Sequence, residues 1–179
     1  QCCGGSVKLS YEANQATQST ENRAIWIYGA GHVGRALVQT LAILPDTNIT
    51  WIDTSLDRFP DTIPQNVTLF PAADPSGATK HAPANAEHLI LTYAHDIDLA
   101  ICHALLSRDF GSIGLIGSAT KWTRFKSRLS ALGHAPANIS QIACPIGDPS
   151  LGKHPSEIAI GVAAAMITGA NRRQKDQTA

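Results

Sequence analysis

The chain has 179 residues, 44% of them hydrophobic and 16% charged, which is enough to bury one substantial core and leans towards a buried sheet. Its net charge is zero with a pI near 7.2, which excludes a general electrostatic attraction to nucleic acid or to an anionic membrane surface. The longest apolar stretch, residues 158–167, is too short to span a bilayer and consists mainly of alanine, glycine and isoleucine.

No signal sequence opens the chain, and the four cysteines (Cys2, Cys3, Cys102 and Cys144) do not form a secreted disulfide framework, so a reducing cytoplasm is expected. Residues 1–11 read as a remnant of an upstream domain, and residues 12–22, nearly devoid of apolar side chains, as a linker. From residue 23 to about 170, short apolar runs alternate with amphipathic ones, the pattern of βαβ units around a parallel sheet. The fold expected is α/β, a Rossmann-like doubly wound, mostly parallel sheet with helices on both faces, followed by a polar, flexible tail over 171–179.

Strands are predicted at 24–28, 48–53, 67–71, 88–92 and 112–116, rich in Ile, Leu and Val without strict alternation, as in strands covered on both faces. A first helix presents Val33, Leu37, Thr40, Leu41 and Leu44 on one side and stops at Pro45. A second carries Ile97, Ile101, Ala104 and Leu105, with Asp96 as its expected N-cap. A third carries Trp122, Phe125, Leu129 and Leu132, with Ser118 at its start and Gly133 at its end. The last begins at Pro155 and is expected to reach Gly169.

The chemistry is carried by four segments. After the first strand, Gly29, Gly31 and Gly34 form G-x-G-x-x-G with His32 inside the loop; such glycines bring backbone N–H groups to a phosphate at a helix's positive end. The second strand ends in Asp53, near the roughly 20-residue offset at which an acid grips a ribose and disfavours a 2′-phosphate. Arg58 nearby softens that preference. Thr92-Tyr93-Ala94-His95-Asp96-Ile97-Asp98 follows the fourth strand, where His95 with flanking carboxylates could act as acid, base or hydrogen-bond donor. Gly117, Ser118 and Lys121 open another helix, a second place ready for an anion. Cys144 precedes Pro-Ile-Gly and reads either as a buried core residue or as a thiol facing the crevice. No metal-ligand spacing surrounds it, and no metal site is expected. The basic residues Arg124, Lys126 and Arg128 read as a solvated helix face.

Taken in order, I-W-I-Y-G-A-G-H-V-G, T-Y-A-H-D-I-D, G-L-I-G-S-x-x-K, C-P-I-G and K-x-P-x-E-I-A resemble the XdhC/CoxI family of xanthine dehydrogenase accessory proteins over nearly all of residues 24–169. The resemblance implies a maturation factor that binds the molybdenum cofactor (molybdopterin), assists its sulfuration with a cysteine desulfurase, and delivers it to a xanthine dehydrogenase-type apoenzyme. It implies cofactor-binding roles for Gly29, Gly31, Gly34, His95, Asp98, Gly117, Ser118, Lys121 and Cys144, to which the residue reading of the loop and the second strand adds His32 and Asp53. No catalytic residue is assigned; His95 and Cys144 are the candidates. Many relatives have a threonine directly before the histidine, where this chain has Thr92-Tyr93-Ala94-His95.

Two other readings share the crevice. One is an NAD(H)-dependent oxidoreductase with His95 as proton donor, and the other a module that senses NAD or another dinucleotide. The alanines Ala159, Ala163 and Ala164 of the last helix would suit close packing, either in a homodimer or on the sheet.

Overall fold

The computed structural model describes residues 22–177, with side chains as far as Gly169. β1 (Arg23–Tyr28) is apolar throughout its second half because it is hydrogen-bonded on both edges and covered on both faces. It pairs with β2 (Thr47–Asp53) on one side and β4 (Glu87–Ile90) on the other. β3 (Val67–Pro71) extends the sheet beyond β2, while β5 (Ser112–Leu115) and β6 (Ile142–Ala143) extend it beyond β4. The six strands run in the order β3-β2-β1-β4-β5-β6 and all pairings are parallel, so the doubly wound Rossmann-like sheet expected from the sequence is present. β6 was not expected. It spans only two residues, too few for any apolar period to show.

Among the described residues six α-helices flank the sheet: α1 (His32–Leu41), α2 (Pro75–Ala78), α3 (His95–Leu106), α4 (Ala119–Ala131), α5 (Pro136–Ile139) and α6 (Pro155–Gln177). Successive side chains of a strand point to opposite faces. Ile25 and Ile27 therefore meet Leu37, Val38 and Leu41 of α1 and Val162 and Met166 of α6. Trp26 and Tyr28 face the other way, towards Leu99, Ile101 and Leu105 of α3 and Phe125 and Leu129 of α4. At the far end of the sheet, Arg23 pairs with Glu87 and donates to the Met166 carbonyl, which fastens α6 to β1.

Several helix details differ from expectation. Asp96 does not cap α3. Ala94 holds the cap position, and Asp96 is an exposed residue of the first turn, 2.9 Å from Arg128. No side chain caps α3; Thr92 Oγ1 accepts from the Ala94 N–H at 3.3 Å and donates to Asp98 at 2.7 Å, which fixes the turn leading into it. Ser118 does cap α4, accepting from the Lys121 N–H at 3.2 Å. Leu132 leaves the buried stripe and is half exposed, because α4 has ended at Ala131 and the chain turns through Gly133 with φ near +93°. α6 continues past Gly169 to Gln177. Ala159 and Ala163 are buried in the α1/α6 layer, so that alanine face is used within the domain, and Ala164 is exposed. Among the described residues no helix is long and apolar enough to cross a membrane.

One buried polar pair sits under the α3/α4 layer. His88 on β4 is fully buried, with its Nδ1 3.2 Å from the Tyr28 hydroxyl and its rings stacked on Tyr28. Its Nε2 has no hydrogen-bond partner. Burial, with a smaller push from Arg108, lowers the imidazole pKa to about 3.

Candidate cofactor site

Two of the three glycines after β1 are required by close packing, and the third is not. Gly29 has φ near +114°, and a Cβ there would lie 2.4 Å from the Leu91 carbonyl oxygen, so the chain can turn between β1 and β4 only without a side chain. A Cβ on Gly34 would lie 2.0 Å from the Gly29 carbonyl oxygen, which sets how closely α1 packs on the turn. Gly31 is different: nothing lies within 4 Å of its missing Cβ, so the loop is open there. Gly31 is also the N-cap of α1, with no side chain capping the helix and no acidic residue in its first turn. The amides at the start of α1 therefore present their positive end to the crevice without a carboxylate from the chain.

The peptide before this opening is held from both sides. The Ala30 N–H donates to Asp53 Oδ2 at 2.6 Å, and the Ala30 carbonyl accepts from Arg35 Nε at 3.0 Å. Arg35 also donates to the Arg58 carbonyl at 2.8 Å, linking the glycine loop to the loop after β2. Asp53 Oδ1 accepts from the Thr54 N–H at 2.7 Å and its hydroxyl at 3.2 Å, and lies 3.5 Å from Arg58 Nε. Asp53 is thus largely occupied in shaping the loop, whereas the sequence suggested a free acid awaiting a ribose. The Arg58 guanidinium in turn lies over the Tyr93 ring, 5.0 Å from its centroid.

These groups line one crevice of about 740 Å³ at the carboxyl ends of β1, β2 and β4, within the range of small-molecule sites. Its walls include Gly29, Gly31, His32, Asp53, Arg58 and Tyr93. Arg35 was not singled out from the sequence, and Thr92 and Tyr93 entered it only as part of the segment leading to His95. Arg35 could have been noticed as the cation one turn into α1, where its side chain reaches back over the loop.

The remaining candidates gather beside the crevice and do not line it. Asp98 on α3 is fully buried; its Oδ2 accepts from Lys121 Nζ at 2.6 Å, and its Oδ1 from the Thr92 N–H at 3.0 Å. Lys121 also donates to the Ile116 carbonyl at 2.8 Å, so its ammonium turns inward. A Cβ at Gly117 would lie 2.8 Å from the Lys121 stem and 3.4 Å from Cys144 Sγ, which places the Cys144 thiol against this pair. Burial pushes that thiol up from its ordinary pKa, Lys121 draws it down and Asp98 pushes it up, so the protonated thiol is favoured. His95 is exposed at the start of α3, its ring edge-on to Phe125 with centroids 6.3 Å apart. Among the described residues no group of three His, Cys, Asp or Glu side chains could hold a metal ion.

The family model of the XdhC Rossmann domain matches residues 25–166. The chain belongs to that family. The XdhC domain here is 26% identical over 166 residues to the uncharacterized protein YqeB of Escherichia coli K12, covering 92% of this chain and 30% of that one. It is also similar in fold to a crystal structure described as a xanthine dehydrogenase from Bacillus halodurans, with a TM-score of 0.74 and 20% identity, covering 87% of this chain and 46% of the other. The chain therefore spans less than half the length of either relative. The second likeness establishes the shared fold.

Proposed function

We propose that this XdhC domain is the cofactor-binding part of an accessory protein for xanthine dehydrogenase-type molybdenum hydroxylases. In this reading it holds the molybdenum cofactor, as the pterin phosphate or its dinucleotide form, through sulfuration by a cysteine desulfurase and insertion into the apoenzyme. The observation that carries the proposal is the uncapped start of α1, open at Gly31 and facing a crevice of about 740 Å³. A phosphate-bearing pterin fits such a place: the first amides of α1 would hold its phosphate, and Arg35 and Arg58 would supply positive charge at the rim. The cofactor itself would bring the metal and sulfur chemistry used in the client enzyme. His95, Asp98, Gly117, Ser118, Lys121 and Cys144 stand beside the crevice in this reading, and Cys144 is the thiol for which a sulfur-handling role can be tested.

The second reading, a domain that binds NAD(H) for sensing or oxidoreduction, draws support from Asp53 at the end of β2 beside the loop. Ligand analysis separates the two. Protein purified from cells that make molybdopterin should release a fluorescent pterin on denaturation. Gly31→Val should retain the wild-type melting temperature, since open space surrounds that position, and lose retained pterin at least about tenfold. Unchanged retention by Gly31→Val, or NAD(H) as the only released ligand, overturns the proposal. Gly34→Val would be uninformative because it collides with the Gly29 carbonyl.

A further inference from the structure

The crevice is much larger than a phosphate, and one of its walls carries an aromatic ring that the core does not use. Tyr93 is 68% exposed, the one aromatic among the exposed large apolar side chains of the described residues. Yet its backbone is fixed on both sides. The Thr92 N–H and hydroxyl both donate to the buried Asp98, which is itself held by Lys121, and the Ala94 N–H donates to Thr92 Oγ1. A buried charge pair thus steadies the base of an exposed ring that lines the crevice together with Arg58.

The ring's other partner is informative. Arg58 crosses from the Asp53 side of the crevice and lays its planar guanidinium over Tyr93, 5.0 Å from the centroid, while its side chain stays 45% exposed. A flat, electron-poor group is therefore already accommodated on that face. Arg58 is also paired with Asp53, 3.5 Å away, so it keeps a partner if the ring face is taken by something else.

We infer that Tyr93 is a ring-stacking residue of this site. It would take a flat nitrogen heterocycle, a nucleobase or a pterin, joined to the phosphate seated at the start of α1, with the ring replacing the Arg58 guanidinium over the tyrosine face. The inference rests on the crevice reading above and adds the ligand's ring to it. Stacking of a heterocycle on an aromatic side chain contributes roughly tenfold or more to affinity and tolerates different ring identities.

Calorimetric titration of the full chain with three probes tests it: ADP, neopterin monophosphate and inorganic pyrophosphate. At least one ring-bearing probe should bind more tightly than pyrophosphate, and whichever does identifies the ring as nucleobase or pterin. Tyr93→Ala should weaken that probe about tenfold and leave pyrophosphate unchanged, while Tyr93→Phe should stay within about twofold of wild type. If pyrophosphate binds but Tyr93→Ala does not alter the ring-bearing probes, or weakens all three alike, the stacking role is wrong and the phosphate seat stands. If none of the three binds the wild-type chain, the crevice reading and the stacking role fall together.

Discussion

Asp98→Ala is expected to lower the unfolding free energy of the domain by about 3–5 kcal/mol, because it strands the Lys121 ammonium in a nearly dry site. Lys121 and Asp98 side chains are 9% and 0% exposed, and their contact is 2.6 Å. The same change also removes the acceptor for the Thr92 N–H and hydroxyl. Lys121→Ala should cost a similar amount for the complementary reason, since it leaves the carboxylate buried without a cation. Replacing both partners with apolar residues of like size, Asp98→Leu with Lys121→Met, should recover most of the loss, because desolvating the two charges already offsets much of their attraction. Urea unfolding followed by tryptophan fluorescence gives the free energies. A single Asp98→Ala within about 1 kcal/mol of wild type would mean that the pair is solvated and does not secure α3 to α4. The double variant also bears on function. If it folds and still binds pyrophosphate, these residues support the crevice without touching the phosphate.

Acid should destabilise the wild-type domain through His88, beginning near neutrality. The imidazole has a pKa of about 3 in the fold against 6.5 for an unburied histidine. The unfolded chain therefore takes up a proton that the folded chain refuses. The stability attached to His88 is complete above pH 6.5 and falls by roughly 1 kcal/mol per pH unit as the pH drops from there towards 3. His88→Leu should flatten this slope over that window while imposing a constant cost for the Tyr28 hydroxyl, which loses its partner at 3.2 Å. Denaturation midpoints measured every half pH unit for the two proteins test the sign as well as the size. A parallel decline in both would assign acid sensitivity to carboxylates elsewhere.

The parts of this fold that were legible in the sequence are those in which several residues repeat one message. β1, the glycine loop and α1 combine an apolar run, a fixed glycine spacing and a helical stripe, and all three are present. β6 could not be read because two paired residues carry no period. The segment 95–98 illustrates a different failure. His95, Asp96 and Asp98 look equally able to face a ligand or cap a helix, yet Asp96 and His95 are exposed and Asp98 is buried. What selects among them is Lys121, 23 positions away in sequence and 2.6 Å away in space. The candidate site divides for the same reason. Glycine spacing located the loop, but whether Asp53 is free or engaged depends on the Ala30 amide, and the role of Arg35 depends on carbonyls contributed by two different loops.

The double clamp on the Ala30 peptide bears on how a bound ligand would leave. With its N–H fixed by Asp53 and its carbonyl by Arg35, the loop surrenders little freedom when an anion arrives and recovers little when one departs. No spring is wound by filling such a seat. In the proposed role, transfer would therefore have to be driven from outside, by a recipient whose own hold on the ligand exceeds that of the donor, and the pace of exchange would follow the encounter between the two proteins.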